Sequence, residues 1–182
     1  RVIASSPHMA NLRYLNLCRN KIGSVGARAI ASSPYMANLR SLSLRECNIG
    51  DDGAEAIASS RCMANLSLLD LAWRNALGSV GAIAIASSPY MANLRSLNLS
   101  SCNDHRSINS WGAKAIASSP HMANLSSLAL WGNNDIGLKG VLAIASSPHM
   151  TNLSYLDLRE CNVGAAAALV ILKRFPFALI AH

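Results

Sequence analysis

Six copies of one phrase limit what this chain can fold into: Ile3, Ile30, Ile57, Ile85, Ile116 and Ile144 each stand in AIASSP or a close variant. A second ladder, Leu12, Leu39, Leu66, Leu94, Leu125 and Leu153, advances by 27, 27, 28, 31 and 28 residues. Repeats of roughly 20–50 residues are single supersecondary units that cannot bury an apolar face alone, so they stack into a solenoid. Length then counts repeats rather than globular cores. The 182 residues read as one domain, 1–182, of about six repeats, with an atypical capping segment over 164–182.

The chain is 51% apolar and only 14% charged, enough to build a continuous core between units and too apolar for disorder. Its longest apolar run, Ala165 to Leu172, stops at Lys173-Arg174. That run is well short of the roughly 20 residues needed to span a bilayer. No signal peptide precedes the first repeat. Arg1-Val2-Ile3-Ala4 aligns with Arg28-Ala29-Ile30-Ala31, so the chain opens inside a repeat and reads as a fragment, with room for a targeting segment upstream.

Within a repeat the pattern is LxxLxLxxNxI, as in Leu12, Leu15, Leu17, Asn20 and Ile22. Leu15 and Leu17 alternate with polar residues and predict a short strand with one buried face. Ser24 to Ser33 predicts a helix with Ser24 at its N-cap, and Ala27, Ile30 and Ala31 on one face. Pro34 is expected to end it, because proline disfavours helical geometry in the residue before it.

The signature recurs as LRSLSLRECNI at Leu39, LSLLDLAWRNAL at Leu66, LRSLNLSSC at Leu94, LSSLALWGNNDI at Leu125 and LSYLDLRECNV at Leu153. This pattern resembles leucine-rich repeats of the ribonuclease-inhibitor type over almost the whole chain. The SPxMxNL phrase also resembles one in bacterial leucine-rich proteins, some of which are delivered into host cells. The fold expected is an α/β solenoid. Strands stack about 4.8 Å apart and helices about 8–10 Å apart, so one unit carrying both must curve into a horseshoe. Parallel strands line its concave face and short helices its convex face.

Three residues beyond the last strand leucine stand Asn20, Cys47, Cys102, Asn133 and Cys161; the third repeat has one extra residue, placing Arg74 or Asn75 there. Asn and Cys alternate in the ribonuclease-inhibitor family, and the resemblance implies that they turn inward to satisfy backbone groups. Five cysteines without paired spacing, Cys18 and Cys62 included, argue for reduced thiols and a cytoplasmic setting, host cytoplasm if the chain is a secreted effector.

Chemistry is not signalled. The sequence has no Gly-rich phosphate loop, no HExxH and no GxSxG. Asp70 and Asp157 hold the same strand place but lie three repeats apart, about 14 Å by strand spacing, against the roughly 5–9.5 Å of paired carboxylate catalysis. His8, His121 and His149 precede the Met of SPxM on the helical side, where neighbouring repeats are about 8–10 Å apart, too far to share an ion at about 2.0 Å. Neither enzyme, metal nor cofactor is expected.

The informative residues face out of the concave wall. Counting the first Leu of each signature as one, places three and five give Tyr14, Tyr155, Asp70 and Asp157; places seven and eight give Arg19, Arg45, Glu46, Trp73, Trp131, Arg159 and Glu160. Exposed Trp, Tyr and Arg are the residue types enriched at binding hot spots. The plainer alternatives are that each indole packs over its neighbour, and that Arg45-Glu46 and Arg159-Glu160 are solvated, mutually compensating pairs. A secondary partner loop is expected at the fourth-repeat insertion, Asp104, His105 and Arg106, with Trp111 just after. Trp111 takes the place of Val25 and Val80, which suits half-buried packing or recognition.

A net charge of +7 permits nucleic acid, but the basic residues are scattered rather than striped, and the mixed signs on the wall suit protein. The expected function is a non-enzymatic module that binds a folded protein on its concave face. The resemblance implies that this partner could be an enzyme whose active site it covers. The alternative is a sensing or scaffolding domain of a larger receptor or secreted bacterial effector.

Overall fold

The structure, a computed structural model, describes residues 3–101 and 106–180. Among these, six strands, β1 (Tyr14–Asn16), β2 (Ser41–Ser43), β3 (Leu68–Asp70), β4 (Ser96–Asn98), β5 (Ser127–Ala129) and β6 (Tyr155–Asp157), form one parallel sheet in chain order. Six helices return the chain between and after them: α1 (Gly23–Ala31), α2 (Gly50–Ala58), α3 (Ser79–Ser87), α4 (Ser110–Ser118), α5 (Gly137–Ala145) and α6 (Gly164–Arg174). Parallel pairing requires such crossovers.

Register follows the leucine ladder. Leu15 lies opposite Leu42, and the line continues through Leu69, Leu97, Leu128 and Leu156. Only this central residue of each strand faces the interior in every repeat, which is why the strands are so short. Behind it lie Leu44, Leu71, Leu99, Leu130 and Leu158, then Ile30, Ile57, Ile85, Ile116, Ile144 and Ile171 of the helices, all buried in one core.

The SSPxMxNL phrase proves to be an inter-repeat fastener. The hydroxyls of Ser33, Ser60, Ser88, Ser119 and Ser147 donate to backbone carbonyls of the preceding repeat. Met36, Met63, Met91, Met122 and Met150 are buried. Asn38, Asn65, Asn93, Asn124 and Asn152 each donate through Nδ2 to an alanine carbonyl one repeat back. The phrase is nearly constant because its second serine and its asparagine bond to the preceding unit while its methionine and leucine are buried.

Two expectations for the helix are corrected. Ser24 is not an N-cap: α1 starts at Gly23, the residue before it is Ile22, and no side chain caps it. Gly23 instead adopts φ +64° and its N–H donates to Cys47 O of the next repeat at 2.9 Å, so the neighbour satisfies the helix start. Nor does Pro34 end the helix directly. The helix stops at Ala31, Ser33 is extended as a residue before proline should be, and Pro34 opens a separate 3₁₀ turn, Pro34–Met36.

At the far edge, Phe175 and Ala178 are buried, and Leu179 pairs with β6: its N–H donates to Leu156 O at 2.7 Å and its carbonyl accepts from Leu158 N at 2.8 Å. An otherwise open edge strand is thereby covered.

Candidate protein-binding surface

After β2, β3, β5 and β6 the chain leaves the strand through a tight turn held by an inward Asn or Cys. Asn75 is buried and donates through Nδ2 to Leu44 O and Leu71 O, both at 2.9 Å, while its Oδ1 accepts from Cys47 N and Ile49 N. Asn133 repeats this with Leu99 O, Leu130 O and Ile108 N. Asn20, exposed, donates to Leu17 O and Cys18 O. The choice between Arg74 and Asn75 falls to Asn75, because Trp73 and Arg74 take left-handed conformations (φ 64° and 45°) that absorb the extra residue. Cys47 and Cys161 occupy the turn in their repeats, their thiols facing Leu17 O and Leu130 O at 3.0 and 3.1 Å. Cys102 lies outside the described residues.

Burial raises both thiol pKa values, that of Cys161 to about 12 from an ordinary 9.0. In native protein at neutral pH, iodoacetamide is expected to label the half-buried Cys18 and Cys62 and to spare Cys47 and Cys161, read by peptide mass spectrometry. The unfolded chain gives up the Cys161 proton first. The stability this thiol contributes is therefore complete below about pH 9 and falls as pH rises toward 12.

On the strand side the turns carry a row of stacked side chains. The Arg45 guanidinium lies over the Trp73 ring at 4.7 Å, the Trp73 and Trp131 rings meet edge to face at 4.8 Å, and the Arg159 guanidinium lies over Trp131 at 5.5 Å. Arg159 is in turn gripped by Asp157, with Nε to Oδ1 at 2.9 Å and Nη2 to Oδ2 at 2.6 Å. The indoles belong to the third and fifth repeats, whose strands are about 10 Å apart. They meet because the fourth repeat puts only Ser100 and Ser101 between them, and both serines are buried. This spacer was missed in the sequence. Its signal was the SerSer pair at places where other repeats carry Arg, Trp or Glu.

Gly132 belongs to the same turn: φ is +76°, and a Cβ there would stand 2.2 Å from Ser101 O. Gly132→Ala should therefore force the backbone under Trp131 to move, with an expected loss of about 2–3 kcal/mol on urea unfolding. A loss below about 0.5 kcal/mol, the usual range for a neutral surface change, would refute the tight turn.

The remaining wall residues divide. Tyr14 is 72% exposed on β1 and Tyr155 half exposed on β6, but they sit at opposite ends of the sheet and form no common site. Asp157 is corrected from a partner-facing residue to an anchor: it is 3% exposed, covered by Arg159, with Leu179 pairing beside it. Asp70, half-buried, accepts from Ser43 Oγ and from Ala72 N and orders the strand end. Glu46 sits between Arg19 at 3.2 Å and Arg45 at 3.6 Å. The plainer alternative of an Arg159-Glu160 pair is not the pairing made: Arg159 is held by Asp157 instead.

Of the residues expected in the secondary loop, Arg106 and Trp111 are described. Asp104 and His105 lie outside the described residues. Arg106 reaches back two repeats to Asp51 at 3.2 Å, where Asp51 also accepts from Gly78 N and Gly81 N and caps the start of α3. Trp111 is neither half-buried nor on the loop: it is 70% exposed on α4, on the helical side away from the Trp73–Trp131 pair. Among the described residues no three His, Cys, Asp or Glu side chains group as metal ligands. No described helix is long and apolar enough to cross a membrane.

No curated protein matches the chain. The family model described as Leucine Rich repeat matches residues 8–31, 35–58, 121–145 and 149–172, a little over half of the sequence. The unmatched centre holds two of the three repeats longer than 27 residues and the first of the two stacked indoles. Such repeats generally mediate protein–protein interaction and typically act as non-enzymatic scaffolds. With matching segments on both sides of that centre and strand, turn and helix recurring through it, the chain belongs to the leucine-rich repeat family.

Proposed function

We propose that this chain is a non-enzymatic recognition module that grips a folded protein on its strand face, with the Arg45–Trp73–Trp131–Arg159 row as the centre of the contact. The observation that carries the reading is that row. Trp and Arg dominate binding hot spots, and here each is already held by its neighbour, so little side-chain freedom is lost on binding. Cationic ends flanking an apolar middle suit a protein surface with carboxylates around an apolar patch. Covering the active site of a partner enzyme, and so inhibiting it, is the mode that fits a curved wall of this kind. The setting proposed is the cytoplasm, supported by the free state of the four described cysteines.

The test is affinity purification of the wild type beside a Trp73→Ala, Trp131→Ala double variant. A specific protein retained by the first and lost by the second, with both folded by circular dichroism, supports the reading. Equal retention ends it.

A further inference from the structure

The helical face carries a pattern unrelated to the strand face. If Gly23, Gly50, Gly78, Asn109, Gly137 and Gly164 are each counted as place one, places three, six and ten are exposed in all six repeats. Spacings of three and four put them on one side of a helix, so they form its outermost ridge. On α1 and α2 the ridge is mixed: Val25 and Arg28, then Asp52 and Glu55. On α3 and α4 it reads Val80, Ile83, Trp111 and Lys114; on α5 and α6, Lys139, Leu142, Leu169 and Lys173. The last four helices contain no Asp or Glu at all, and three of the chain's four lysines stand on their ridges.

Outward ridges of soluble proteins normally intersperse charges of both signs. Here large apolar side chains alternate with lysines alone, across four helices spanning about 30 Å at about 10 Å spacing. Leu169 is 73% exposed and Val80 63%, as open as polar ridge residues ought to be. Lys114 Nζ lies 6.0 Å over the Trp111 ring, which joins an indole to a cation at the centre of the patch. Place ten adds exposed hydroxyls at Ser87, Ser118 and Ser146. Of the acids bordering the patch, Asp51 is engaged by α3 and Arg106 and Asp135 by the Ser107 hydroxyl at 2.8 Å, while Glu55 on α2 lines a groove with Ala84 and Ser87 and bounds the patch on that side.

We propose that the α3–α6 ridge docks on an anionic membrane surface. Apolar side chains and an indole reach the headgroup boundary while lysines with flexible stems hold their charge at the phosphates, the composition of an interfacial helix face. A row of protruding side chains asks its partner to yield around each of them, as a lipid interface does. The mixed α1–α2 ridge, with Asp52 and Glu55, stays off that surface. The strand face remains turned to solvent for its partner, so the two surfaces do not compete.

The test is co-sedimentation of the chain with vesicles of phosphatidylcholine alone or of phosphatidylcholine with phosphatidylserine. Binding is expected to the second and not the first, and to weaken as salt is raised toward about 1 M, where the screening length falls to about 3 Å. Lys114→Glu with Lys139→Glu should lower the affinity at least about tenfold. Val25→Glu on α1 should leave it unchanged. Brominated lipid should quench wild-type tryptophan fluorescence but not that of Trp111→Phe, since Trp73 and Trp131 lie on the other face. Failure to sediment with anionic vesicles overturns the proposal, as does binding that ignores the lysine reversals. A concentration-dependent dimer dispersed by Trp111→Glu, without vesicle binding, assigns the ridge to a second copy instead. Since each readout concerns the helical face alone, the strand-face reading stands or falls separately.

Discussion

Asn133→Ala is expected to lower the free energy of unfolding by about 3–5 kcal/mol, one of the largest losses any single side chain in this molecule can produce. Its carboxamide donates to two carbonyls, Leu99 O and Leu130 O, and accepts from Ile108 N, and the residue is fully buried. Alanine removes all three bonds at once; Leu130 O keeps the Cys161 thiol and the backbone N–H of residue 133, while Leu99 O and Ile108 N are left without partners in a dry turn. Each unsatisfied group costs about 1–3 kcal/mol. Asn75→Ala should behave alike, since its Oδ1 alone serves two amides of the preceding repeat. Asn20→Ala is the internal control: the same residue type at the same place, exposed and bonded only to its own turn, should cost no more than about 1 kcal/mol. Urea unfolding of the three variants measures the contrast. Equal midpoints would mean that the turn ladder contributes nothing to cooperation between repeats.

The Trp73→Ala, Trp131→Ala double variant should weaken a captured protein partner by at least about 3 kcal/mol, more than a hundredfold, in calorimetry or surface plasmon resonance. Two hot-spot aromatics of about 2 kcal/mol each would give more if they acted independently. They do not, because the rings touch at 4.8 Å and losing either one frees the other. The single variants should therefore each lose most of the affinity. Arg45→Ala and Arg159→Ala should lose less than the indoles, and Arg159→Ala should also leave Asp157 buried without its cation. A double variant that binds within about threefold of wild type, a difference under 1 kcal/mol, would remove the row from the interface. Stability must be followed in parallel, since Ser100, Ser101 and Ala72 in the neighbouring turns are buried.

The strand leucines, the turn Asn and Cys, and the alternation of strand with helix were all legible in the sequence, because each repeats at a fixed interval and each has a physical reason to do so. The helix start was not. Ser24 looks like a cap in isolation, but the neighbouring repeat supplies the acceptor through Cys47 O, and nothing in one repeat records what the next will offer. Trp73 and Trp131 were recognised as wall residues, yet their meeting was hidden. They stand two repeats apart and one place out of step, and contact depends on the small serines between them and on left-handed turns at Trp73 and Gly132. Asp157 was misjudged for a related reason: strand alternation places it on the open face, but Arg159 folds back over it and Leu179 pairs alongside.

By itself the sequence determined the unit and its stacking, because a 27-residue repeat with one apolar strand face and one apolar helix face has no other way to bury both. Only the tertiary structure decided which exposed side chains act together. Neighbours in a solenoid are set by translation from repeat to repeat, so the row of guanidiniums and indoles on one face and the basic, apolar ridge on the other exist only once the units are stacked.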